Sequence, residues 1–97
     1  MAFNYPYRMS VRPKIMSAMQ RVAREHERVL APLSDDLVLF ESGLDSLCLA
    51  VLVARLEDEL MVDPFSDATS ADFPVTVSDL VTAYEHAVET VAGGRGR

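Results

Sequence analysis

Gly43-Leu44-Asp45-Ser46-Leu47 is the stretch of this chain whose residue types and order fit a defined chemistry. A polar, Asp-containing loop leads into it, and an apolar run with helical spacing leaves it. The serine therefore stands at the start of a helix. There the first backbone N–H groups have no partner inside the helix, and the helix dipole is positive. That end of a helix favours phosphate. Gly43 has no Cβ and permits a tight entry, and Asp45 can cap the helix by accepting from its free N–H groups. These features suit an exposed serine that bears a phosphodiester beside an acid. The plain alternative is an ordinary helix start after an ordinary loop end, and five residues alone do not decide between the two.

Other chemistries find less support. Ser46, Asp45 and either His26 or His86 would make a hydrolase triad on paper. Nucleophilic serines of that type sit on a strand-to-helix elbow in Gly-x-Ser-x-Gly, and neither strand nor spacing is present. No His/Cys cluster has metal-ligand spacing, and no Gly-rich phosphate loop occurs. Cys48 lies near a helix N-terminus, which lowers a thiol pKa. It is expected to serve as a small apolar residue.

The 97 residues make one domain, with 49% hydrophobic and 25% charged residues. A chain of this size buries about 60–65% of its unfolded surface, enough for one modest core and not for a deep catalytic pocket. No apolar run approaches ~20 residues, so no membrane span is expected. No basic segment followed by a continuous apolar stretch opens the chain, which leads to the expectation of a cytoplasmic protein. The single cysteine excludes an internal disulfide.

The net charge of −6 is unevenly spread. Between positions 29 and 92 stand thirteen acids and one base, Arg55; the other eight bases lie in the first 28 residues or the last three. Such a field repels nucleic acid and steers toward basic protein partners. The bland reading is that the acids keep a small domain soluble.

Three helices must position the central stretch. The spacing of Ile15, Met19, Val22 and Val29 predicts a first helix over 11–30, with Pro13 in its first turn and Pro32 ending it. His26 falls on or near its apolar stripe, as a partly buried packing residue. Residues 1–10 read as an irregular arm. The connection 31–43 carries Leu33, Leu37, Leu39 and Phe40, which are expected to pin it across the bundle. The second helix spans 46–60, with Leu49, Leu52, Val53, Leu56 and Leu60 on its core face. Leu47, Val51 and Ala54 form another stripe, and docking is the expected use of Leu47 and Val51. Glu57-Asp58-Glu59 close this helix against the sense of its dipole.

Residues 61–74 are irregular, with one short helical turn expected between 66 and 71 and with Phe65 and Phe73 as core anchors. The last helix covers 76–91. Thr76 and Asp79 form an Asp version of the capping box, and Val77, Leu80, Val81, Tyr84 and Val88 make its core face. Gly93-Gly94 end it, and 93–97 form a flexible tail. The expected architecture is all-α, a small three-to-four-helix bundle with a long loop between helices one and two and a single domain over 11–92.

Taken together, the chain resembles the acyl carrier protein family. The resemblance rests on Gly43-Leu44-Asp45-Ser46-Leu47 opening helix two, on Leu56-Glu57-Asp58-Glu59-Leu60 closing it, and on Thr76-Val77-Ser78-Asp79-Leu80 opening the last helix. It extends over roughly 15–88. It implies a carrier and not an enzyme. A phosphopantetheinyl transferase would move 4′-phosphopantetheine from coenzyme A onto Ser46, with magnesium on the transferase and Asp45 close to that metal. The prosthetic thiol would hold an acyl or aminoacyl cargo as a thioester. Leu47 would be the hydrophobic contact beside the attachment point, and Leu44, Leu47, Val51, Arg55, Glu57 and Asp58 the partner-binding face of an expected monomer.

Departures from the family pattern refine this expectation. Cys48 and Val51 stand where fatty-acid carriers place acids, Met61 replaces a glycine after helix two, and the first helix is rich in bases. These changes resemble specialised carriers of lipid or secondary-metabolite biosynthesis that serve a dedicated acyl or aminoacyl ligase or transferase. An aminoacyl or peptidyl carrier is the neighbouring alternative. A helical adaptor without a prosthetic group is the alternative of another class.

Overall fold

The computed structural model describes the backbone of residues 7–65 and 73–94, and the side chains of 11–65 and 73–90. In chain order it has α1 (Tyr7–Glu25), a short 3-10 turn (Leu39–Glu41), α2 (Ser46–Leu60) and α3 (Val77–Gly94). Among the described residues the sole extended pairing is an isolated antiparallel bridge between Val38 and Thr76. The fold is the expected all-α bundle. The short turn expected between 66 and 71 and the tail beyond Gly94 lie outside the described residues, as does most of the N-terminal arm.

One core joins the three helices. It takes Val11, Ile15, Ala18, Met19 and Val22 from α1, Leu49, Leu52 and Leu56 from α2, and Val77, Leu80, Val81 and Tyr84 from α3. Tyr84 is fully buried, with Phe65 edge-on at 5.6 Å and Phe73 behind Phe65 at 5.5 Å. Both phenylalanines are thus anchored where expected. Burial, with the charges of Glu57 and Asp63 adding to it, pushes the Tyr84 hydroxyl far above its ordinary range. Cys48 is buried as a small apolar residue.

α1 departs from expectation at both ends. It begins at Tyr7, so Pro13 lies inside the helix and not in its first turn. Proline there leaves the Met9 carbonyl without its usual donor. Val11 and Ile15, four apart and both buried, hold the turns on either side of it against the core. The helix then stops at Glu25, well before Pro32. Glu27 takes a left-handed conformation, φ 57°. Arg28 N–H donates to the Ala23 carbonyl at 2.7 Å and Glu27 N–H to Arg24 at 3.2 Å. That is the Schellman closure, built here without glycine. Consequently Val29, expected on the core face, is 90% exposed, and His26, expected to be partly buried, is exposed in the turn.

Ion pairs bind α1 to the rest. Lys14 meets Glu59 at 3.8 Å near the end of α2, and Arg28 meets Asp45 at its start, so the two helices run antiparallel. Arg12 meets Asp35 at 2.7 Å, and Arg55 meets Glu25. Arg12 and Lys14 of the basic first helix therefore neutralise acids of their own chain.

The connection 26–45 is ordered by backbone bonds. Ala31 N–H donates to Ser42 O at 2.8 Å, Leu39 N–H to Val75 O at 2.8 Å, and Val77 N–H to Leu37 O at 3.0 Å. Leu39 is buried, Leu33 and Leu37 pack against the core, and Phe40, expected to help pin the loop, is exposed. α2 ends as the sequence predicts, at Leu60. Met61 adopts the left-handed conformation that glycine would take more cheaply, φ 61°, and is 80% exposed.

Candidate functional site

The entry to α2 is built by close backbone contact. Gly43 has φ +104°, and a Cβ there would come within 2.1 Å of the Val29 carbonyl oxygen. Glycine is required on both counts, conformation and space. Ser42, beside it, is fully buried: its hydroxyl donates to Leu39 O at 2.6 Å and accepts from Leu44 N–H at 3.3 Å. This turn aims the chain into α2.

Asp45 is the N-cap, as its type predicts. It has extended backbone, and its Oδ1 accepts from Cys48 N–H at 2.9 Å. Its other oxygen pairs with the Arg28 guanidinium. The Cys48 N–H, and then the positive charges of Arg28 and His26, hold the Asp45 carboxyl below its usual range. Ser46 follows as the first helical residue and is exposed. Among the described residues its hydroxyl has no partner, and no protein acceptor meets the N–H groups of Ser46 and Leu47. An exposed hydroxyl thus sits beside two open donors at the positive end of a helix. The neighbouring carboxylate is already engaged by a cation and a backbone donor. This arrangement fits a covalently attached anion.

The other expected residues divide. Leu47 is 63% exposed beside Ser46 and forms an apolar contact surface. Val51 is half-buried and packs against the core, so it contributes only an edge. Leu44, expected on the partner-binding face, is 1% exposed and belongs to the core. Arg55 is half-buried and held by Glu25. Asp58 is exposed. Glu57 is half-buried, and a hydrogen bond with Asp63, followed by burial and the charges of Asp63 and Asp58, pushes its carboxyl up. An open hollow of about 580 Å³ lies between Met61–Pro64 and the α3 residues Ala83, His86, Ala87 and Thr90. It adjoins the far end of α2 from Ser46, roughly 22 Å along a 15-residue helix.

Two contributors were not assigned from the sequence. Arg28 is seventeen residues from Asp45 and joins it through the Schellman turn. Ser42 reads as a loop polar residue until the crossing of 29–31 over 42–43 buries it. Its place before Gly43 is the one hint, since serine hydroxyls often bond nearby backbone in turns.

The family model of the phosphopantetheine attachment site matches residues 14–84, well over half of the chain. The chain belongs to that family. It is a carrier protein, and its prosthetic group is covalently attached 4′-phosphopantetheine. Carrier domains are in general not catalysts; they work with a phosphopantetheinyl transferase and with acyl-handling enzymes. No significant match is found among curated proteins or among solved structures. Among the described residues of this carrier, no helix is long and apolar enough to cross a membrane.

Proposed function

We propose that Ser46 is the attachment point and that the protein is a specialised carrier of acyl or aminoacyl thioesters for a dedicated ligase or transferase. The observation that carries the attachment is the exposed Ser46 hydroxyl, without a partner among the described residues, beside two N–H groups that none of them meets. The bound group supplies a thiol that holds cargo as a thioester. The protein's own part is mechanical and electrostatic. Gly43 sets the entry angle, Asp45 fixes the first turn, and the helix end favours the anion.

The specialised role is supported by what stands around the attachment point. The first turn of α2 holds no acid, Cys48 there is buried, and Leu47 is exposed beside the serine. Partner recognition through this end is accordingly more apolar than acidic. Leu47→Glu tests it without touching the core, whereas Val51→Glu also disturbs packing. The partners are a phosphopantetheinyl transferase and the cargo-handling ligase or transferase; transfer to the latter should fall in Leu47→Glu.

The attachment itself is tested by intact mass after incubation with a promiscuous transferase, magnesium and coenzyme A. One added phosphopantetheinyl group in the wild type, and none in a folded Ser46→Ala, is the expected result. Addition to Ser46→Ala would refute the assignment. A folded wild type that takes no group would leave an adaptor in which Ser46 is a helix start.

A further inference from the structure

We infer that Arg28 positions and neutralises the phosphodiester on Ser46, a role that rests on the reading of Ser46 as the attachment point. Three features bring this side chain to the group. First, its backbone is held by the helix end: Glu27 is left-handed and Arg28 N–H donates to Ala23 O at 2.7 Å. Second, its guanidinium already lies on Asp45, one residue before Ser46. Third, 44% of its side chain remains exposed, so donors of its planar fork are open to a second anion.

Charge makes the need. Modification places a permanent monoanion on the residue next to Asp45, whose carboxyl is held in its charged form. Two adjacent anions repel, and a cation between them offsets that repulsion. Arg12, Lys14 and Arg55 are held elsewhere by Asp35, Glu59 and Glu25. Among the described residues Arg28 is the cation paired at this end of α2, and a guanidinium suits phosphate oxygens better than an ammonium does. His26 also faces Asp45 electrostatically, from an exposed position. A purely structural Arg28 would hold Asp45 in place and be indifferent to what Ser46 carries.

The experiment compares apo and holo forms of the wild type, Arg28→Gln and Arg28→Lys. Intact mass first establishes loading on Ser46, using Ser46→Ala as the blank; a wild type without the group there overturns this inference together with the attachment reading. Circular dichroism of each apo variant then secures the fold. Two readouts follow on loaded protein. The phosphorus-31 signal of the wild type should move between about 0.01 M and about 1 M salt, over which screening lengths fall from roughly 30 Å to 3 Å. In Arg28→Gln the signal should sit near its high-salt position throughout, and Arg28→Lys should lie between. At low salt, modification should lower the melting temperature of Arg28→Gln by about 2–4 °C more than that of the wild type, an excess that vanishes at high salt. Comparing apo with holo inside each variant removes the lost Asp45 contact from the difference. Identical phosphorus positions and identical apo-to-holo shifts in wild type and Arg28→Gln would overturn the inference while leaving Ser46 as the attachment point.

Discussion

The N-termini of α2 and α3 use the same residue types and reach opposite ends. Each has an aspartate and a serine in or beside its first turn. At α3 every early donor is met: Val77 N–H by Leu37 O, Ser78 N–H by Asp35 O, and Asp79 N–H by the Thr76 hydroxyl. Asp79 answers by accepting from Thr76 N–H and Val75 N–H, each at 3.1 Å. At α2 Asp45 meets Cys48 N–H, while among the described residues the N–H groups of Ser46 and Leu47 are left open. The apolar neighbours differ likewise, since Val77 and Leu80 are buried and Leu47 is exposed. One helix start is sealed for stability. The other withholds part of its hydrogen-bonding capacity, the pattern expected where a bound group completes the site.

Four changes test this contrast, the largest first. Gly43→Ala should destabilise the fold by about 2–4 kcal/mol, since a new Cβ meets backbone, not a flexible side chain, and the positive φ is disfavoured as well. Urea denaturation reads it; a loss under about 0.5 kcal/mol would mean that the α2 entry is not built as described. Thr76→Ala should cost about 1 kcal/mol by opening the sealed start. Ser46→Ala, at the open start, should stay within about 0.5 kcal/mol of wild type. Equal losses at the two positions would erase the distinction. Met61→Gly should stabilise by about 0.5–1 kcal/mol, because the left-handed position at the end of α2 then carries no Cβ penalty.

A further test is pH, and its signs oppose each other. Backbone donors, of Thr76 and Val75 for Asp79 and of Cys48 for Asp45, hold both carboxyls below their ordinary value. Their contribution is present above that value and lost as pH falls through the depressed folded one. Glu57 is raised instead, chiefly by its hydrogen bond with Asp63. The folded state then binds its proton more tightly than the unfolded chain does, so stability declines as pH rises from the ordinary 4.5 through the raised value. Thermal melts across pH 3 to 8 should show Asp45→Asn and Asp79→Asn flattening the acid limb. Glu57→Gln should remove the decline at higher pH; an unchanged profile would deny the Glu57–Asp63 pair any role.

How far this could be read from sequence follows from the range of the interactions. α2 was legible from end to end because its signals are local: an Asp cap, a helical apolar stripe, a run of core leucines. The Thr76–Asp79 box was legible for the same reason. The end of α1 was not, because its left-handed closure falls on Glu27 and no glycine marks it. Reading the helix on to position 30 put Val29 in the core, whereas its carbonyl is what forces glycine at 43. Leu44 was expected on the partner-binding face from the motif it shares with Ser46, but it is buried in the core, which the motif alone does not reveal. Arg28 could not be assigned, since its partner is set by tertiary packing and not by spacing.

The most direct test of the central claim is fragmentation of the tryptic peptide 29–55 from the loaded protein. It carries three serines, Ser34, Ser42 and Ser46. A single phosphopantetheine on Ser46 is expected, with Ser42 protected by burial and its bonds to Leu39 and Leu44. Modification at Ser34 or Ser42, or a group found instead on the tryptic peptide 56–95 that holds Ser78, would contradict it.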